Sequence, residues 1–347
     1  MMKKILIIAC CFVSTQLIAQ SKKVDFISRP DQRKVDVLIG GKHFTSLIFP
    51  ADLEKPTLFP IIAANGETVT RGFPIAPRDG ERTDHPHHVG LWLNYESVNG
   101  LDFWNNSYNI PADKKVNYGW IRNLKLGKAV AGQREGKLSY SANWENQASK
   151  VLLKEETTFV FHGVDNTRTI DRITTLTAQK DTVFFKDIKD GMLGMRVTKE
   201  LEMPSDKIDE FIDSKGNRTK VSASGNGANG TYLTSAGKKG NDAWGTRGNW
   251  CIMYGEKAGQ AISVAIVDHP KNPGYPTYWH ARDYGLFAAN PLGQKIFSNG
   301  KESLNMVLAP GRSATFRYRI IITSGETVAP QRLNDQAAAF EKLYAQK

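Results

Sequence analysis

Cysteine is scarce, with three in 347 residues, at positions 10, 11 and 251. Cys10 and Cys11 fall in an apolar leader, which leaves Cys251 alone in the mature chain. A single thiol excludes an internal disulfide, so packing must hold the fold. In "GNWCIMYG" the Cys251 thiol reads as buried and inert. Long apolar runs are equally few. The N-terminal "MMKKILIIACCFVSTQLIAQSKK" puts two lysines ahead of a run shorter than the roughly 20 residues that a spanning helix needs. It is laid out as a secretory signal peptide over residues 1–20, cleaved after Ala19 or Gln20, with a periplasmic or secreted destination. "IIAC" is a weak match to a lipoprotein processing site, because cleavage before Cys10 would leave a very short apolar core. No other segment is apolar enough to span a membrane.

Basic blocks are missing too. The formal charge is +11, yet the lysines and arginines are scattered, with no aromatic-interleaved basic run, which argues against nucleic-acid binding. Such an excess suits acidic partners, among them an anionic polysaccharide. There is no Walker A, G-x-S-x-G or H-E-x-x-H motif. A literal G-x-G-x-x-G occurs at Gly225, Gly227 and Gly230, but it follows "KVSAS" and precedes "TYLTS". Without a buried strand before it and a helix after it, it implies no nucleotide cofactor. Helical periodicity is confined to the end of the chain, residues 329–346. There Pro330 suits a first turn, and Leu333, Ala337, Phe340 and Tyr344 recur at helical spacing.

What the chain does have is alternation. In "KLSYSANWE", Leu138, Tyr140, Ala142 and Trp144 share one face, and in "ATFRYRIII" Phe316, Tyr318, Ile320 and Ile322 do the same. Further strand-like runs are 35–39, 45–49, 89–95, 150–161, 167–177, 182–188 and 261–267, separated by turns such as Asn99-Gly100 and Asn299-Gly300. Many long strands without interleaved helices predict an all-β chain: a large antiparallel β-sandwich, a single domain over 21–347, with the C-terminal helix on its outside. Residues 205–248, polar and glycine-rich, read as one long loop.

Seven histidines are present, and three of them fall in "DHPHHVGLW" at residues 84–92. Proline disfavours helical backbone in the residue before it, so His85 and His269 are expected to be extended. If 84–92 is a strand, His85 and His87 share a face and His88 opposes them. Two histidines at that spacing can chelate a divalent metal if further ligands arrive, with His280 as the leading addition to His85 and His87, ahead of Asp283, His269 and Asp102. The alternative is a polar-aromatic wall for a sugar. His87, His88, Trp92, Asp102 and Trp104 supply it from this stretch, and Trp279, His280, Arg282, Asp283 and Asn290 from "NPGYPTYWHARDYGLFAANPLG". Core aromatics with surface charges are the plain structural account of the same residues. Arg196, among the apolar residues of "KDGMLGMRV", needs a partner. That partner is a nearby carboxylate such as Glu200, or else the guanidinium faces a cleft. Glu155 and Glu156 point to opposite faces of one strand.

The blocks "HPHHVGLWLNYESVNGLDFWN", "KDGMLGMRV" and "AISVAIVDHPKNPGYPTYWHARDYGLFAANPLG" resemble, in order, those of the bacterial methane oxygenase PmoA-like proteins. Val89 and Leu93 stand where that pattern more often has an arginine and an aromatic. The resemblance implies an exported sandwich similar to the galactose-mutarotase-like superfamily, whose carbohydrate enzymes place histidines and acids on a concave sheet face. It singles out His87, His88, His280 and Asp283. Histidine suits general acid or base work near neutral pH. The leading expectation is therefore a hydrolase, lyase or epimerase acting on a glycan fragment, with Arg196, Trp104 and Trp279 holding the sugar. The rivals are a non-catalytic carbohydrate-binding protein and a metal-dependent oxygenase.

Overall fold

A computed structural model describes residues 20–212 and 216–344. Apart from Gln20, the expected leader lies outside the described residues, as do the last two residues of the expected C-terminal helix. Two eight-stranded sheets face each other. The front sheet runs Val24–Arg29, Lys34–Ile39, Lys42–Ile48, Thr57–Ile61, Leu91–Tyr95, Gly191–Arg196, Leu286–Asn290, Tyr278–Ala281. The back sheet runs Thr231–Thr234, Trp250–Lys257, Gln260–Asp268, Ser313–Ser324, Thr167–Ala178, Val151–Val164, Glu135–Glu145, Trp120–Val130. Neighbours pair antiparallel throughout, as in Tyr278↔Asn290 and Thr167↔Val164.

The strand period of two decides which side chains enter the core. From the front sheet Leu91, Leu93, Tyr95, Leu193, Met195, Phe287, Ala289 and Trp279 point inward. They meet Leu138, Tyr140, Trp144, Phe316, Tyr318, Ile320 and Ile322 of the back sheet. The alternation read in the last two groups holds. Glu155 joins this core: its carboxylate accepts from Tyr140 Oη (2.6 Å), Trp144 Nε1 (2.8 Å) and Arg172 Nη2 (3.0 Å). Glu156 faces solvent. Cys251 is buried, and desolvation lifts its thiol well above the ordinary value.

On the outer face of the back sheet the helix Pro330–Leu343 lays Leu333 and Phe340 over Trp250, Ile252, Val267 and Ile321. It covers a buried ion pair, Arg319 with both oxygens of Asp171 (2.7 and 2.8 Å). His269 belongs here as well, against Phe340 and Tyr344. The second D-H-P tripeptide therefore anchors the helix.

Two expectations change. Residues 205–248 are not one loop. Ile208–Ile212 and Arg218–Ser222 form a hairpin that pairs with Glu81–Arg82, and Thr231–Thr234 edges the back sheet. Charged residues hide the alternation there, where Phe211 is buried beneath the Arg82 guanidinium at 4.9 Å. Of 182–188, only Val183–Phe184 forms a ladder, with Val307–Leu308. Among the described residues no helix is long and apolar enough to cross a membrane.

Candidate functional site

The outer face of the front sheet holds several of the residues singled out in the sequence. One cross-strand row reads Trp92, Gly194, Ala288, His280, set by the pairs Trp92↔Gly194, Gly194↔Ala288 and Ala288↔His280. Two small residues thus separate an indole from an imidazole, and their Cα atoms lie about 14 Å apart at ordinary strand spacing. A Cβ on Gly194 would stand 2.6 Å from Trp92 and 2.7 Å from Trp104. Both indoles lie down over the glycine.

At the Trp92 end, residues 85–88 form a tight turn instead of a strand. The His88 N–H donates to the His85 carbonyl at 2.9 Å, with Pro86 in the second position, where its fixed φ is favoured. His85 takes φ +44°, left-handed and not extended. The strand starts only at Leu91, so the alternation expected for the three histidines does not apply. Instead their rings cluster. The His85 ring lies parallel to both His88 (4.8 Å) and Tyr284 (5.0 Å), His87 meets His88 edge-on at 4.3 Å, and His88 stacks on Trp92 at 5.3 Å.

Beneath the turn lie two fully buried arginines. Arg71 donates to the His85 and His88 carbonyls (2.9 and 3.2 Å) and to Asp84 Oδ1 (2.7 Å). Arg196 donates to the same Asp84 oxygen at 2.7 Å, and its Nη1 lies 3.3 Å from His88 Nδ1. Arg196 also sits over the Tyr284 ring at 4.9 Å. The partner expected for Arg196, Glu200, instead accepts from Thr198. The carboxylate between the two guanidiniums is Asp84. Burial opposes its ionisation, but Arg196, His85 and Arg71 outweigh that and hold its carboxyl far below the usual range. Deeper in, Glu202 meets Arg82 at 2.6 Å, yet desolvation pushes its carboxyl up to about 7. His87 and His88 are held well below the ordinary imidazole value by desolvation first, followed by Lys55 for His87 and by His87 for His88. Lys55 itself is buried. Its ammonium donates to the His87 carbonyl at 2.7 Å and lies over Trp92 at 5.5 Å, and burial lowers it to about 8.

At the other end of the row His280 is 2% exposed, with Nδ1 3.5 Å from Asp190 Oδ1 and without a hydrogen-bond partner. Desolvation lowers it to about 4 against the pull of Asp190. Glu96 lies beside Asp190, its N–H donating to the Asp190 carbonyl at 3.0 Å. Burial and the neighbouring Asp190 and Asp102 push the Glu96 carboxyl up to about 7. An imidazole pulled down and a carboxyl pushed up thus flank Asp190. Asn290 fixes this arrangement: its amide donates to the Ile188 and Lys189 carbonyls, both at 2.9 Å, and so holds the segment that leads into Asp190.

Several expected ligand residues do other work. Trp279 points into the inter-sheet core, opposite to His280, as strand alternation requires. Trp92 and Trp104 are buried beneath His88 and present no open face. Asp283 accepts from the Tyr284 N–H (3.0 Å) within its hairpin turn; the carboxylate at His280 is Asp190. Asp102 accepts from the backbone and side chain of Asn105, both at 2.9 Å. Arg282 packs over Tyr284 (5.6 Å) and Trp244 (5.9 Å). Sequence reasoning missed Lys55, Arg71, Glu96 and Asp190. Alternation could have found two of them, since Glu96 continues the Trp92–Asn94 face and Asp190 is in step with Gly194 and Arg196.

The proposed metal set of His85, His87 and His280 does not gather. His280 stands at the far end of the row, and His85 Nδ1 is paired to Asp84 at 2.7 Å. Two buried guanidiniums adjoin the remaining rings and oppose a cation. Among the described residues no three His, Cys, Asp or Glu side chains are grouped to hold an ion.

These observations define a class: an antiparallel two-sheet sandwich with a titratable site on the outer face of one sheet. The chain belongs to a family of unknown function, DUF6807, whose model matches residues 34–338. That description carries no PmoA-like designation and gives the sequence resemblance no support. No curated protein matches the chain. Among solved structures it is similar to a galactose mutarotase-like protein from Clostridium acetobutylicum, at 12% identity and TM-score 0.38, covering 87% of this chain and 98% of that one. It is also similar to an aldose epimerase homologue from C. elegans, at 12% identity and TM-score 0.31, covering 88% and 100%. A GH36 α-galactosidase from Geobacillus stearothermophilus matches at 8% identity and TM-score 0.37, over 86% of this chain. The chain spans only 41% of that enzyme's length. The assignment of the architecture rests on the strand order itself.

Proposed function

We propose that the protein is an exported carbohydrate-active enzyme that moves protons on a glycan fragment, with His280 as general base and Glu96 as general acid. The observation that carries this is the buried, unpartnered His280 Nδ1 beside Asp190, with Glu96 on the other side of that carboxylate. Paired groups whose environments drive their pKa values apart are the mark of an acid–base couple. Asp190 keeps the imidazole oriented and stabilises the imidazolium formed when it takes a proton. The His87–His88 turn borders the same sheet face, and the buried Arg196, bonded to Asp84, holds it in place from beneath. The export step comes from the leader read in the sequence. Non-catalytic binding on an aromatic wall has less support, because Trp92, Trp104 and Trp279 are all buried. The oxygenase reading finds no ligand set among the described residues.

The test incubates the protein with neutral and acidic plant and algal oligosaccharides and follows product by NMR. Wild type should turn over at least one of them. His280→Asn should reduce turnover about 10²-fold or more while leaving the melting temperature nearly unchanged. A variant with normal turnover and a large drop in melting temperature would make His280 a packing residue and sink the proposal.

A further inference from the structure

A second feature lies behind the histidine turn, where nothing assigns a site. Between the 30–33 turn, the 49–56 segment and the edge strand Trp120–Val130 runs a groove of about 720 Å³, within the usual size of a ligand cleft. Its lining includes the apolar side chains of Phe49, Leu53 and Leu126. Its charged lining is of one sign, namely Arg33, Lys55 and Arg122, with no carboxylate among the lining residues. The nearest acid in sequence, Glu54, is turned to Lys115 at 3.5 Å. Arg33 and Arg122 are exposed and have no ion-pair partner among the described residues; Arg122 is held only by the Trp120 ring at 4.5 Å. A bulge between Arg122 and Lys125 breaks the edge-strand register and re-aims these side chains. Lys55 belongs to both features, lining the groove and donating to the His87 carbonyl.

We propose that this groove binds an acidic saccharide, a chain segment bearing carboxylate or sulfate groups, and that Lys55 joins it to the site on the sheet face. The apolar side chains of the lining suit the C–H faces of sugar rings, and the guanidiniums without ion-pair partners suit planar anionic groups by paired hydrogen bonds. The assignment of a saccharide rests on the carbohydrate reading above. The cationic lining does not.

Calorimetry on the full chain tests it with four probes: a galacturonic acid tetrasaccharide, a sulfated galactan tetrasaccharide, the neutral galactan tetrasaccharide and inorganic phosphate. At least one acidic tetrasaccharide should bind at least about tenfold more tightly than the neutral one and weaken as salt rises. The tighter of the two identifies the acidic group. Arg33→Gln/Arg122→Gln, both at exposed positions, should cost about tenfold in that affinity without moving the melting temperature. His280→Asn should leave it unchanged. Equal binding of neutral and acidic chains, undiminished binding by the double variant, or phosphate binding as tight as the tetrasaccharides would overturn the proposal. Acidic-chain binding with no turnover of any saccharide would defeat the enzymatic reading and leave the groove standing. Turnover that ignores the double variant, with no acidic preference, would do the reverse.

Discussion

Asp84→Asn removes the one carboxylate that stands between Arg71 and Arg196 while keeping the side chain's shape. Both arginines lose a charge-assisted bond of 2.7 Å and stay buried, at 1% and 0% exposure. A charged hydrogen bond contributes about 1.5–3 kcal/mol, and breaking a buried pair from one side costs about 3–5 kcal/mol. The Asp84 side chain is 32% exposed, so water can replace part of the lost interaction. The expected loss therefore sits at the lower end, about 3 kcal/mol. Urea unfolding followed by tryptophan fluorescence reads it as a fall in midpoint with an unchanged slope. Adding Arg196→Met to Asp84→Asn removes one stranded cation, so the pair should cost less than the sum of its single changes, with a coupling of about 1–3 kcal/mol. Glu200→Gln is the control and should leave this coupling intact. If Asp84→Asn stays within about 0.5 kcal/mol of wild type, the two buried guanidiniums are satisfied some other way, and the account of this site fails.

Two further outcomes follow from the opposite end of the row. His280 must be neutral and Glu96 protonated, so kcat/KM should be bell-shaped, rising as pH passes about 4 and falling as it passes about 7. The stability linkage has matching signs. His280, lowered from 6.5, adds stability above that pH that is lost as pH falls through about 4; Glu96, raised from 4.5, adds stability below that pH that is lost as pH rises through about 7. Glu96→Gln should abolish the alkaline limb, and a profile flat between pH 5 and 9 would refute the assignment. Asn290→Ala removes two amide hydrogen bonds, to the Lys189 carbonyl and to the Ile188 carbonyl that Tyr95 Oη also reaches, and should cost about 1–3 kcal/mol in urea unfolding. It should also shift the His280 titration in NMR, because Asp190 is released, and an unmoved titration would show that Asn290 does not position that carboxylate.

The strands were legible wherever one face was apolar, as in Leu138–Trp144 and Phe316–Ile322, because burial enforces alternation. The outer-face chemistry was legible only in part. The His85-Pro86-His87-His88 turn looked like a strand entry because proline restricts the residue before it, yet His85 is left-handed, in a turn whose His85 and His88 carbonyls both accept from Arg71. Trp279 looked like a sugar platform, but strand alternation puts it in the core and turns its neighbour His280 to the outer face. The partners of Arg196 and His280, at positions 84 and 190, depend on which strands become neighbours. Local pattern carries no record of that choice.

Gly194 has a consequence for the history of the sequence. The space its missing Cβ would fill is taken by two indole rings, so any larger residue there must be met by a smaller one at position 92 or 104. Shrinking either tryptophan alone would open a void beneath His88. The three positions, distant in the chain, can therefore change only in concert, and drift at any one of them is constrained by the other two.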